Sequence, residues 1–198
     1  MSRPRQRFEE VYQRKLWASA GVLSGEGSRV EHNGALVAWL DGCAEDGLRT
    51  VLDLGCGDLE WVARCRSITD GILEYTGYDV VPAMIEHHRR VFPWFRGLAI
   101  DLEEVPRVSA DIVILKDVIF HHCNGAAEQI LMNLNGSRWR RLLVTSHPSA
   151  DPTRRRGLRR GGWAPYDVEA SGMISGKPVA CLPRYDGCHL VYQRDRPL

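Results

Sequence analysis

The chain has 198 residues, 44% hydrophobic and 26% charged, which suits one domain around one core. Lysine and arginine total 26 against 25 acids, a net charge of +1, so the polyelectrolyte character of a nonspecific nucleic-acid binder is absent. No apolar stretch approaches the roughly 20 residues of a membrane-spanning helix, the start is polar, and the six cysteines include no C-x-x-C pair, so a cytoplasmic protein with free thiols and no membrane partner is expected.

Residues 1–30 are read as an N-terminal cap, with glycine and serine clustered at 24–28. A helix is expected over 31–44, with Leu36, Val37, Trp39 and Leu40 as its apolar face, and then a short strand at 50–54. Further helices are expected at 59–65, 82–92 and 126–134, and Pro82 suits a first helical turn because no helical partner awaits its missing N–H. Strands are expected at 75–80, 98–100, 111–115, 142–145 and, more weakly, 188–192. Most are apolar along nearly their whole length, as central strands buried on both faces are. Strands alternating with helices predict an α/β fold with a doubly wound, mostly parallel sheet. After the fifth strand, 147–178 is expected to form a loop region, and Arg154, Arg155, Arg156, Arg159 and Arg160 make a local positive block within it.

The first strand carries the most chemistry. Val51-Leu52-Asp53-Leu54-Gly55-Cys56-Gly57-Asp58 is an apolar run with an acid near its end, followed by two glycines that open backbone conformations closed to other residues and let a ligand lie against bare main chain. The third glycine of the dinucleotide fingerprint is missing, because Glu60 stands in its place. The next strand, Tyr75-Thr76-Gly77-Tyr78-Asp79, ends in an acid about twenty residues further on, where a carboxylate can take both hydroxyls of a ribose. Asp101 ends the apolar run after that. With no phosphate-cradling Walker loop and no complete G-x-G-x-x-G, the pattern points to a nucleoside ligand without phosphate.

These residues resemble the class I S-adenosylmethionine-dependent methyltransferases. Asp53-Leu-Gly-Cys-Gly57 is similar to the first motif of that fold, Asp79 to its ribose-binding acid, and Ala99-Ile100-Asp101-Leu102 to the segment that meets the adenine. A narrower likeness to a bacterial subgroup runs over residues 8 to 165. It rests on Phe8-x-x-Val-Tyr12, Leu16-Trp17, Ser24-Gly-Glu-Gly-Ser28, Cys56-Gly-Asp58 with Trp61, Lys116-Asp117-Val-Ile-Phe-His121 and Gly161-Gly-Trp163-x-Pro165. The chain departs from the subgroup where Lys116 replaces the usual arginine, where His122 follows His121, and after Pro165, where a proline-rich apolar stretch is missing.

The resemblance implies a Rossmann-like sheet of seven strands with helices on both faces, S-adenosylmethionine as cofactor and S-adenosylhomocysteine as its product. Asp53, Gly55, Gly57, Asp79, Asp101 and Leu102 would hold the cofactor, with Trp17, Ser24, Gly25, Gly27 and Ser28 covering its methionine end. Methyl transfer is an in-line displacement that needs alignment and exclusion of water, and a hydroxyl acceptor also needs a proton acceptor. Histidine serves near neutral pH, so His121 is the candidate base, with Asp117 to orient it or the acceptor and His122 beside it. Arg155, Arg159, Trp163 and His147 are candidates for the acceptor side, arginine for an acidic group on the acceptor and the glycines for a hinge. His121, His122 and Cys123 lack the paired spacing of metal ligands, so no metal is expected. The expected function is methylation, at oxygen, of a small-molecule or glycan-type acceptor by a monomer or homodimer. A nucleic-acid methyltransferase and a non-catalytic S-adenosylmethionine-binding scaffold are the alternatives.

Overall fold

The computed structural model describes residues 4–18, 22–151, 155, 157–184 and 186–194. Its elements in chain order are α1 (Pro4–Gln13), α2 (Gly34–Glu45), β1 (Thr50–Leu54), α3 (Arg66–Thr69), β2 (Glu74–Asp79), α4 (Pro82–Val91), β3 (Arg96–Ala99), β4 (Ile112–Leu115), α5 (Asn124–Asn135), β5 (Arg141–Ser146), α6 (Val168–Ser171), β6 (Ala180–Arg184) and β7 (Gly187–Gln193). The strands form one sheet in the order β3-β2-β1-β4-β5-β7-β6. Neighbours from β3 to β5 pair in parallel, whereas β7 runs antiparallel to both β5 and β6. This is the α/β doubly wound, mostly parallel, seven-stranded sheet expected above.

Alternation along each strand feeds two cores. Leu52, Leu54, Val113, Leu115, Leu142 and Val144 pack on the face that takes Ala127, Ile130, Leu131 and Leu134 of α5. Val51, Tyr75, Ile112, Ile114 and Leu143 face the other way, against Leu36 and Leu40 of α2, Ile68 of α3 and Ile85 of α4. Burial on both sides explains why β1, β4 and β5 read as continuous apolar runs.

Several elements differ from expectation, among them α6, which forms inside the expected loop region 147–178. The helix expected over 59–65 is a 3₁₀ turn, Val62–Arg64, followed by the single turn of α3. The cap contains a regular helix, α1, whose mean hydropathy is too low to stand out, although Phe8 and Val11 bury their side chains. Strand β6 carries Pro183 and buries no residue fully, which suits an edge and hides it from a search for apolar runs. No helix among the described residues is long and apolar enough to cross a membrane.

The chain runs from β1 outward through β2 to β3, then returns to the other side of β1 for β4 and β5. The two directions diverge between β1 and β4, so a crevice opens at the carboxyl ends of those strands.

Candidate active site

A cleft enclosing about 750 Å³ of empty space, open mouth included, occupies that crevice. The loops after β1, β2, β3 and β4 make its floor through Asp53, Gly55, Gly57, Asp79, Asp101, Leu102, Lys116 and Asp117. Phe8, Tyr12, Trp17, Ser24 and Ser28 of the N-terminal segment close over it, and His121 and His122 stand at the side.

The loop after β1 is built for close approach. Gly55 has φ +86 and a Cβ there would lie 2.4 Å from Cγ2 of Val118; Gly57 has φ +58 and a Cβ would lie 2.5 Å from Oγ of Ser24. Side chains from three elements pin the Gly57 peptides. The Gly57 N–H donates to Asp79 Oδ2 at 3.1 Å, His88 Nε2 of α4 donates to the Gly57 carbonyl at 2.7 Å, and the Asp58 N–H donates to Ser24 Oγ at 2.9 Å. The Ser24 N–H returns a bond to Asp58 Oδ2 at 2.8 Å, a two-bond clasp between cap and cofactor loop.

Asp79 accepts one backbone N–H on each oxygen, from Gly57 and from Val81, which leaves a lone pair on each for a ligand diol. Asp53 accepts the Tyr75 hydroxyl on Oδ2, while its buried Oδ1 has no partner. Burial pushes the Asp53 carboxyl up to about 7, against the opposing pull of the Tyr75 bond and of Lys116.

Asp117 follows β4 in a left-handed conformation, φ +58. Its Oδ2 takes Lys116 Nζ at 2.7 Å, and its Oδ1 takes Thr145 Oγ1 at 3.0 Å and the Arg184 guanidinium. Burial alone would raise this carboxyl, yet Lys116, Arg184 and His189 hold it well below the usual carboxylate range. Lys116 also donates to the Gly27 carbonyl at 2.8 Å, and a Cβ on Gly27 would collide with Asp117 Oδ2 at 2.3 Å. Gly25, at φ +93, and Gly27 therefore shape the turn and do not themselves line the cleft.

His121 stacks on Trp17 with ring centroids 4.2 Å apart, and its Nδ1–H donates to the Gly162 carbonyl at 2.7 Å. A carbonyl can only accept, so the proton sits on Nδ1 and Nε2 keeps its lone pair. Burial pushes the imidazole down to about 4. His122 is buried, donates Nδ1–H to the Val118 carbonyl at 3.0 Å and packs on Phe8. Asp117 was expected as a group that could orient an imidazole, but its hydrogen bonds go elsewhere, and a backbone carbonyl orients His121 instead.

The arginine block is corrected most. Arg155 is buried and spends its guanidinium on the protein, donating to Asn124 Oδ1 at 2.8 Å and to the carbonyls of Ala164 and His122 at 2.8 and 2.6 Å, over the ring of Tyr166. It ties the 161–166 segment to the turn before α5 and has no donor left for an acceptor. Arg160 pairs with both carboxylate oxygens of Glu103. Arg159 is exposed and lines no part of the cleft, and Arg154 and Arg156 lie outside the described residues.

His147 and Trp163 also lie outside the cleft, in a shallow groove with Asp151, Pro165 and Asp186. Trp163 is 53% exposed, yet its segment is fixed, since the Gly161 and Ala164 N–H groups donate to the His121 and Phe120 carbonyls at 2.9 and 3.1 Å. The buried Phe120 ring packs between groove and cleft, 4.6 Å from His121 and 6.2 Å from Trp163. Tyr75, His88 and Arg184 carry no sequence signal for these roles, because only the packing of β2, α4 and β6 brings them to the groups they hold.

No family model and no curated protein matches the sequence. Solved structures do match. An O-methyltransferase family protein from Burkholderia thailandensis is 16% identical, over 82% of this chain and 58% of its own, with a TM-score of 0.58. An O-methyltransferase family 2 protein from Planctomyces limnophilus, in complex with apigenin, is 18% identical, over 82% of this chain and 62% of its own, TM-score 0.57. Magnesium protoporphyrin IX methyltransferase from Synechocystis, with bound S-adenosylhomocysteine, is 17% identical, over 96% of this chain and 97% of its own, TM-score 0.63. The chain spans less than two thirds of the first two proteins and nearly all of the third. At these identities the likeness establishes the fold.

Proposed function

We propose that this protein is an S-adenosylmethionine-dependent methyltransferase acting at oxygen on a small-molecule or glycan-type acceptor. The unpartnered Oδ1 of Asp53, buried beside two glycines that admit no side chain, is the observation that carries this reading. It offers an anionic partner for the cofactor's ammonium, and Asp79 offers two acceptors to a ribose. Asp101 and Leu102 border the adenine end, and Trp17, Ser24 and Ser28 cover the methionine end. Fold neighbours holding S-adenosylhomocysteine or apigenin support the same assignment.

Bound in this cleft, S-adenosylmethionine supplies a methyl group already activated by the sulfonium charge. The protein's share of the work is alignment, exclusion of water and movement of one proton. Phe8 and Trp17 exclude water from the mouth. His121 takes the acceptor's hydroxyl proton at Nε2, with its ring held by Trp17 and Gly162. His122 is a packing residue on Phe8. Asp117 stays ionised between Lys116 and Arg184 and forms a fixed polar wall, so it does not serve as a base.

The Trp163 groove, across the buried Phe120 ring from His121, is assigned as the acceptor side. Asp151 and Asp186 line that groove and Arg155 is engaged elsewhere, which favours an acceptor without an acidic group there. The arrangement also disfavours a nucleic-acid substrate, since phosphates would meet carboxylates.

Calorimetric titration with S-adenosylmethionine and S-adenosylhomocysteine tests the assignment. Both should bind, and Asp79→Ala should weaken them at least tenfold, about 1.4 kcal/mol. Absence of binding by the parent protein would overturn it.

A further inference from the structure

Tyr75 is 1% exposed, lines no part of the cleft, and is one of the largest wholly buried side chains. In the β1–β2 register Asp53 lies opposite Gly77 and Val51 opposite Tyr75, so Asp53 and Tyr75 project from the same face of neighbouring parallel strands. Gly77, beside Asp53, has no side chain to compete for its carboxylate. The Tyr75 hydroxyl therefore reaches Asp53 Oδ2 at 2.6 Å, and Oδ1 is left buried and unpartnered on a residue that lines the cleft. Burial holds the Tyr75 phenol well above its ordinary range, so it is a donor at every working pH.

We propose that Tyr75 is a positioning residue for the amino-acid end of the ligand: by saturating Oδ2 it locks the Asp53 carboxylate with Oδ1 toward the cleft, so that the site reads a primary ammonium and not the nucleoside alone. The proposal rests on the S-adenosylmethionine reading above and goes beyond it by assigning amine selectivity to a residue that never touches the ligand.

The charges facing Asp53 set the sign of its pH dependence. Burial disfavours the carboxylate, Tyr75 and Lys116 favour it, and Asp79 and Asp117 oppose it, which brings the group to about 7. A cation bound at Oδ1 draws the proton off. Ligands carrying the ammonium should therefore bind more tightly as pH rises from 6 to 8, by about tenfold, while ligands without it should not.

The experiment compares S-adenosylhomocysteine with 5′-methylthioadenosine, which shares the nucleoside and the thioether but lacks the amino acid. Titrations at pH 6 and 8 should show the rise for the first ligand only. Tyr75→Phe should weaken S-adenosylhomocysteine tenfold or more and leave 5′-methylthioadenosine within twofold. Asp53→Asn, which keeps an acceptor for Tyr75, should remove the pH dependence. A Tyr75→Phe protein that binds S-adenosylhomocysteine as the parent does, or loses both ligands equally, overturns the proposal, as does an Asp53→Asn protein with the parent's pH profile. A parent that binds 5′-methylthioadenosine but shows no preference for S-adenosylhomocysteine defeats the positioning role alone. One that binds neither defeats the functional reading and the positioning role with it.

Discussion

Burial pushes the His121 imidazole down to about 4, because the ring lies between Trp17 and Phe120, and the hydrogen bond to Gly162 offsets only part of that cost. A base with so low a pKa is unprotonated at every pH where the enzyme would work, at the expense of basicity. The acid limb of the kcat profile should therefore fall near pH 4 and not near 6.5, as a pH–rate series would show. Replacing His121 with Asn should lower kcat about 10²- to 10⁴-fold while the Kd for S-adenosylhomocysteine stays the same. An unchanged kcat would remove His121 from the mechanism. Asp53, Gly55, Gly57 and Asp79 could be picked out as residues because an acid and two glycines after an apolar run are unusual and local. The state of each group could not be read that way. Asp53 has its pKa raised and Asp117 has its pKa lowered, although both are aspartates near a strand end that burial would push up, and the difference lies in Lys116 beside Asp117 and in Arg184 brought to it from β6.

Among the elements, the arginine block at 154–160 shows how a charged run can mislead. Five arginines close together look like a solvated or anion-binding block, yet Arg155 is turned inward to satisfy carbonyls that the loop leaves open. Removing it strands those acceptors, so Arg155→Met should cost about 1–3 kcal/mol of stability in denaturant unfolding. It should also slow methyl transfer by loosening the Gly162 carbonyl that orients His121, with little change in S-adenosylhomocysteine affinity. The α1 helix and β6 were illegible for a related reason. Their amphipathic or edge positions bury few residues, and apolar patterning detects burial, not backbone geometry.

For the whole molecule, the cap, the loop after β1 and the turn after β4 are joined around the cleft through the Ser24–Asp58 clasp and the Lys116–Gly27 bond. A ligand that fills the cleft completes these contacts in the folded state alone. S-adenosylhomocysteine at about 100 times its Kd should therefore add about 2.7 kcal/mol, seen as a rise in Tm of roughly 5–10 °C by calorimetry or dye-monitored melting. Asp79→Ala protein should lose that rise.

The order of apolar strands and helices, the glycine loop and the strand-end acids were determined by the sequence alone, because each is a local pattern in which burial or backbone freedom dictates residue type. Only the tertiary structure decided that Tyr75 holds Asp53, that His88 props Gly57, that Arg184 neutralises Asp117 and that Arg155 serves the loop and not the acceptor. Those partners lie 22, 31, 67 and 33 residues apart along the chain. Sheet register and loop packing set such pairings, and neither leaves a mark on the composition of the segments they join.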